Sequence, residues 1–312
     1  MSSNPLAPSA TIGFVGLGNM GAPMARRLLT AGYRLRVSDT AEAAMTALAE
    51  QGAEPVEDVA RVADGADAVV LMLPDSSVVD AVLHGAGLLA AVAANSVVVD
   101  MGSSQPMRTR ELAAESAQRN VGYVDAPVSG GVRGAEQGKL TVMVGGSDAD
   151  VARVQPVLDL LGSSVRHVGP AGAGHAVKAL NNLMSAAHMQ ITSEAMLAAR
   201  TFGLDLATVL DVVNASSGRS GSTQNKWPNF VLPGSYDSGF GLRLMLKDMR
   251  IGVGLAKQAG VPTPLADQTV QFWAQAAEAL PPHADHTEIV RWLEALSAAP
   301  EGDGSTRGEE QR

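Results

Sequence analysis

Short, almost wholly apolar runs alternate with longer stretches of helical period through the first half of the chain. "TIGFV" (Thr11–Val15) is apolar at nearly every position, as a parallel strand buried on both faces requires. "YRLRVSD" (Tyr33–Asp39) alternates like a strand, and further strands are expected at Ala68–Leu73, Ser96–Asp100, Tyr123–Ala126, Leu140–Val144 and Ser164–Val168. Helical stretches fall between most of them: Ala22–Ala31, Ser77–Leu83, Met107–Arg119 and Asp148–Leu161. This alternation predicts an α/β domain built on a doubly wound, mainly parallel sheet.

After Val168 the pattern changes. Gly174 to Ala199 reads as one long helix, with Leu180, Leu183, Met184, Ala187, Ile191 and Ala195 along one apolar stripe expected to pack inward. The segments that follow, "LDLATVLDVVNAS", "RLMLKDMRIGVGLAKQAG", "PLADQTVQFWAQAAEAL" and "TEIVRWLEALS", are all helical in period. The expected organisation is therefore a disordered arm at 1–10, an α/β domain at 11–170, an all-α domain at 171–298 joined to it by the long helix, and a disordered polar tail at 299–312.

Composition narrows the function. The 312 residues suffice for two cores. A formal charge of −9 gives no general grip on nucleic acid or on an anionic membrane surface. No apolar run approaches the roughly 20 residues of a membrane helix, and "MSSNPLAPSA" does not read as a signal peptide. A cytoplasmic protein is expected. The absence of cysteine removes thiolate catalysis and Cys-based zinc sites. The six histidines show no metal-binding spacing, so no metal is expected.

Candidate chemistry begins where the first strand meets the first helix. "GLGNMG" places Gly16, Gly18 and Gly21 in the G-x-G-x-x-G spacing of a Rossmann dinucleotide site, with Leu17, Asn19 and Met20 between them. The spacing suits a tight turn, a close backbone approach to a pyrophosphate, and phosphates held at a helix N-terminus. Asp39 closes the second strand 18 positions after Gly21. A carboxylate there accepts bonds from the adenosine ribose hydroxyls and repels a 2′-phosphate, which favours NAD over NADP. Arg36 lies in the same strand and reads chiefly as a surface residue.

Three more segments end strands at the carboxyl edge, where open α/β sheets bind ligands. "MLP" brings Leu73 and Pro74 toward the cofactor, and "DMGSSQP" brings Ser103 toward the nicotinamide or the substrate. "DAPVSGG" offers the Ser129 hydroxyl and the Gly130 and Gly131 amides as a cradle for a substrate carboxylate. Past Gly172 and Gly174, the long helix carries Lys178 and Asn182 four residues apart and so on one face. Facing the cleft, a desolvated Lys178 can serve as acid and base for a hydroxyl while Asn182 orients the oxygen. His175 reads as a packing or capping residue, Trp227, Trp273 and Trp292 as helical core, and Arg219 as a further anion-binding candidate.

Taken together, "GLGNMGAPMARRLL", "DAPVSGG", "GAGHAVKALNN" and "GFGLRLMLKDM" resemble the β-hydroxyacid dehydrogenases, which include the 3-hydroxyisobutyrate dehydrogenases, from about Ile12 to Leu296. The resemblance implies Lys178 as catalytic acid/base, Asn182 as a substrate-orienting residue, and Ser129, Gly130 and Gly131 on the substrate carboxylate. It adds Lys247, closing over the cofactor from the helical domain, with Phe240 in the same wall, and it implies a homodimer or homotetramer. Two positions depart from the pattern. Gly221 stands where several relatives carry a bulky aromatic, and Gly102 takes one of two usual hydroxyl positions.

The expected function is NAD-dependent interconversion of a small β-hydroxy acid, such as 3-hydroxyisobutyrate, and its semialdehyde. Alternatives are an NADP-dependent semialdehyde reductase, an imine reductase, against which Lys178 argues, and a non-catalytic NAD-sensing protein, which would not need both the lysine and the cradle.

Overall fold

Among the residues described by the computed structural model, 4–298, nine strands form one sheet. They are β1 (Thr11–Val15), β2 (Arg34–Ser38), β3 (Glu54–Pro55), β4 (Ala68–Leu71), β5 (Val97–Asp100), β6 (Gly122–Asp125), β7 (Val128–Ser129), β8 (Leu140–Gly145) and β9 (Gly162–Gly169). The order β3-β2-β1-β4-β5-β6 is parallel throughout. It is the doubly wound order of dinucleotide-binding domains, reversing direction between β1 and β4. β8 then adds antiparallel to β6, flanked by antiparallel β7 and parallel β9.

Side-chain alternation along each strand feeds two cores, one on each face of the sheet. Ile12, Phe14, Val70, Val97 and Val99 pack on one side with Met24 and Leu28 of the Gly21–Thr30 helix. Val15, Val69, Leu71 and Val98 pack on the other with Leu83, Leu88 and Leu112. The continuous apolar runs are thus two interleaved faces. The main strands expected from the sequence are present; β3 and β7 were not expected, because two residues are too few to show a period.

The expected disordered arm, 1–10, needs correction over residues 4–10. Leu6 is buried in the first core, its amide donates to the Arg153 carbonyl at 2.9 Å, and its carbonyl accepts the Tyr33 hydroxyl at 3.1 Å. The buried side chain and the two backbone bonds of Leu6 tie the segment down. Residues 1–3, and the tail expected at 299–312, lie outside the described residues.

Contacts divide the chain into two units. The first comprises residues up to Met184 together with Lys247–Pro264; the second comprises Ser185–Leu246 and the residues from Leu265 onward. The Lys247–Pro264 segment, expected in the all-α domain, therefore groups with the sheet. The second unit is helical among its described residues apart from one isolated bridge, Gly241 to Asp285. Trp227, Trp273, Leu210 and Met245 are among its buried side chains. Within it, Ser222–Val231 winds with wider i→i+5 bonds, such as Leu232 N–H to the Trp227 carbonyl at 2.9 Å. Pro228 lacks the N–H that an ordinary α-helical turn would use there.

The apolar stripe of the long helix, Ala173–Thr201, does not pack inward as expected. Leu180, Met184 and Ile191 are 39%, 59% and 60% exposed. The buried face carries His175, Lys178, Ala179, Asn182, Ala186, Met189, Ser193 and Met196 instead. The buried face thus mixes alanines and polar groups with two methionines, while the Leu180–Met184–Ile191 stripe stays outside.

Candidate active site

The loop after β1 is shaped by steric constraint. Gly16 has φ +95°, and a Cβ on it would overlap the Met72 carbonyl; a Cβ on Gly21 would overlap the Gly16 carbonyl. At Gly18 no other group comes within 4 Å of the Cβ position, and the residue is exposed. The Gly21–Thr30 helix has neither a side-chain cap nor an acidic residue in its first turn. Its N-terminal amides and positive dipole end therefore face an open, unblocked loop, which fits the pyrophosphate of a dinucleotide.

Asp39 braces this loop. Its carboxylate accepts the Leu17 amide at 2.5 Å and the Ala41 amide at 2.8 Å, and each oxygen retains a lone pair for another donor. Arg36 is held elsewhere: it pairs with Glu54 at 2.9 Å, its register partner on β3, and with Asp64 at 3.8 Å.

A second cluster gathers at the carboxyl ends of β4 and β5. Leu73 is buried and Pro74 exposed. The Lys247 ammonium donates to the Pro74 carbonyl at 2.7 Å and the Ser103 carbonyl at 2.6 Å, and stands 3.1 Å from Asp248 Oδ1. Asp248 is almost wholly buried and accepts the Ser103 hydroxyl at 2.7 Å and Asn182 Nδ2 at 2.6 Å. Asn182 Oδ1 in turn accepts Asn181 Nδ2 at 3.1 Å. Lys178 and Asn182 are 8% and 5% exposed on the same helix face. Asp248 links Ser103, Lys247 and Asn182, yet the sequence reading passed over it. In an amphipathic helix, an aspartate beside a lysine looks like solvent-facing charge; the "LKDM" motif that singled out Lys247 was the available signal.

In "DAPVSGG" the parts diverge. Asp125 is fully buried and accepts the Gly172 and His175 amides at 2.7 and 2.8 Å, so it holds the start of the long helix. Val128 and Ser129 pair with β8, and the chain then turns through Gly130 (φ +133°) and Gly131 (φ +64°) into the Gly131–Gln137 helix. Ser129 is half-buried and Gly130 exposed, leaving the turn open to a ligand.

Phe240 lies in the second unit. Its amide donates to Asp285 at 3.1 Å, its carbonyl accepts the His286 amide at 2.9 Å, and its ring meets that imidazole edge-on at 5.8 Å. Burial, reinforced by the nearby Lys226 cation, pushes His286 down to about 4. Arg219 is exposed in the same unit.

Two family models match the chain nearly end to end. Residues 11–169 match the NAD binding domain of 6-phosphogluconate dehydrogenase, and residues 172–293 match a domain described as the NAD-binding part of NADP-dependent 3-hydroxyisobutyrate dehydrogenase. Among curated proteins, 2-(hydroxymethyl)glutarate dehydrogenase of Eubacterium barkeri is 40% identical over 85% of this chain and 88% of its own length. The 3-hydroxyisobutyrate dehydrogenase of Pseudomonas aeruginosa is 37% identical over 86% and 92%. A solved structure of Mycobacterium tuberculosis 3-hydroxyisobutyrate dehydrogenase with L-serine superposes with a TM-score of 0.85 at 31% identity, covering 91% of this chain and 99% of that one. The chain belongs to the β-hydroxyacid dehydrogenase family: it is an NAD-binding oxidoreductase that acts on the CH–OH group of hydroxy acids.

Proposed function

We propose that this enzyme oxidises a small β-hydroxy acid of the 3-hydroxyisobutyrate type to its semialdehyde, or runs the reverse reduction, with Lys178 as acid/base. The observation that carries this reading is the buried helix face on which Lys178 stands one turn from Asn182, itself tied through Asp248 to Ser103. NAD, when bound, takes up or returns the hydride. In the oxidation Lys178 accepts the hydroxyl proton as the hydride leaves the same carbon; in the reduction it gives that proton back. Asn182 spends one amide hydrogen on Asp248, leaving the other for the substrate oxygen. Ser129, Gly130 and Gly131 hold the carboxylate. The Gly16–Gly21 loop would receive the pyrophosphate, Asp39 the ribose hydroxyls, and Leu73, Pro74, Ser103 and Lys247 the nicotinamide side. The engagement of Arg36 with Glu54 supports NAD over NADP, because that cation is already paired.

A second reading enlarges the substrate. The 40%-identical relative is named for a hydroxy acid with a second carboxylate. The exposed Leu180–Met184–Ile191 stripe supports a homodimer or homotetramer, since a row of large apolar side chains on one helix marks an association surface.

Formation of reduced cofactor with 3-hydroxyisobutyrate, 3-hydroxypropionate, L- and D-serine and 2-(hydroxymethyl)glutarate, each with NAD and NADP, tests the substrate. Highest kcat/KM for 3-hydroxyisobutyrate or 3-hydroxypropionate with NAD agrees with the first reading; 2-(hydroxymethyl)glutarate in that place selects the second. Lys178→Ala is expected to abolish turnover while leaving NAD affinity within about threefold, and undiminished turnover in that variant rules out the acid/base assignment.

A further inference from the structure

Asp100 and Asp125 end β5 and β6, and the parallel register sets them side by side, both fully buried. Neighbouring strands lie about 5 Å apart, so two ionised carboxylates there repel each other unless donors or a cation meet them. Asp100 accepts the Gly102 amide at 3.0 Å and the Ser104 hydroxyl at 2.8 Å, with the Tyr123 hydroxyl at 3.5 Å. Asp125 accepts the Gly172 and His175 amides.

The His175 imidazole stands between the two carboxylates. Its Nε2 is 3.8 Å from Asp100 Oδ2 and its Nδ1 is 3.8 Å from Asp125 Oδ2, with the ring fully buried. Nδ1 and Thr109 Oγ1 share a hydrogen bond at 2.8 Å, and the same hydroxyl lies 3.1 Å from the Gln105 carbonyl. Nε2 has no hydrogen-bond partner among the described residues and faces toward Asp100.

These contacts constrain the long helix in two different ways. The Asp125 bonds to the Gly172 and His175 amides fix where it starts. Gly174 permits the seating: a Cβ there would overlap the Met143 carbonyl and lie 2.9 Å from Asp125 Oδ2. The imidazole bond to Thr109, on the separate Pro106–Gln118 helix, fixes its rotation about its own axis. A rotation of roughly 10° moves a side chain about 6 Å from the axis by about 1 Å. Displacement on that scale can cost about a hundredfold in rate.

We infer that His175 is a positioning residue for Lys178: by bridging Thr109 and the Asp100–Asp125 pair it sets the rotation of the helix that presents the lysine three residues on. The inference rests on Lys178 being the acid/base.

The test uses the full chain with its best substrate. His175→Leu is expected to lower kcat by about tenfold to a hundredfold while NAD Kd and substrate KM move by less than about threefold. It should also displace the limb of the kcat–pH profile that Lys178 governs, because a turned helix changes the surroundings of the ammonium. The groups that face the imidazole itself are Asp100 from β5, Asp125 from β6 and Thr109 from the neighbouring helix, with the Tyr123 hydroxyl on Asp100. His175→Asn, whose amide can donate or accept in place of Nδ1 toward Thr109, is expected to recover most of kcat. Thr109→Val deletes the hydroxyl partner of Nδ1 with little change in side-chain volume and should lower kcat in the same way if His175→Leu does not fold. Unchanged kcat and pH profile in these variants, with only a lower Tm, would leave His175 a structural residue and overturn the inference. If Lys178→Ala abolishes turnover while the His175 and Thr109 variants behave as wild type, the inference alone fails; if Lys178→Ala keeps turnover, the inference falls together with the acid/base reading.

Discussion

Asp248 is a buried anion whose position is accounted for by three donors: the Ser103 hydroxyl, the Asn182 amide and the Lys247 ammonium. Substituting alanine removes the acceptor of the Ser103 hydroxyl and the Asn182 amide in a protected site, where each unmet group costs about 1–3 kcal/mol, while Lys247 keeps the Pro74 and Ser103 carbonyls. Asp248→Ala is therefore expected to lower Tm by several degrees and kcat by at least about tenfold, read from thermal unfolding and steady-state kinetics side by side. Unchanged kcat would show that Asn182 and Ser103 hold their places without it. At this scale the sequence was legible where residue type and spacing are dictated by local geometry. Gly16 and Gly21 answer to the turn between β1 and the first helix, and Asp39 stands at the end of β2. Asp248 answers to groups at positions 103 and 182, and no local pattern reports that its charge is buried.

Strands were legible for a related reason. β4 and β5 are buried on both faces, and a run such as "AVVL" or "VVVD" has no other comfortable home. The long helix was read with the wrong face inward because hydrophobicity reports avoidance of water, not which neighbour provides the shelter. Ala179, Ala186 and Ser193 pack within the chain, while Leu180, Met184 and Ile191 remain on the surface. If those three are covered by a second copy, Met184→Glu combined with Ile191→Glu will shift the protein to monomers in sedimentation velocity, with the far-UV dichroism unchanged. Persistence of the wild-type sedimentation coefficient would separate this stripe from the association surface.

The whole molecule should lose stability in mild acid, and the helical unit supplies one cause. His286 is buried beside Lys226 and its pKa falls to about 4 from 6.5, so the folded protein keeps it neutral where the unfolded chain takes up a proton. Stability from this group is complete above about pH 6.5, declines as pH falls, and is lost by about pH 4, a change of about 3 kcal/mol. His286→Asn can retain a donor toward the Phe240 carbonyl, which His286 Nδ1 meets at 3.0 Å, and should flatten the dependence of Tm on pH across that window. A slope equal to wild type would assign the acid sensitivity to other groups. The division of the chain has a different consequence, for inheritance rather than stability. The sheet-bearing unit is discontinuous in sequence: it ends at Met184 and resumes at Lys247. A gene fragment stopping at the first boundary would carry the glycine loop, Ser103 and Asn182 but not Asp248, the acceptor that joins the last two. The cofactor half is thus no interchangeable cassette. Recombination that swapped it whole would have to bring along eighteen residues from the far side of the helical insertion, so the two halves are expected to be inherited together.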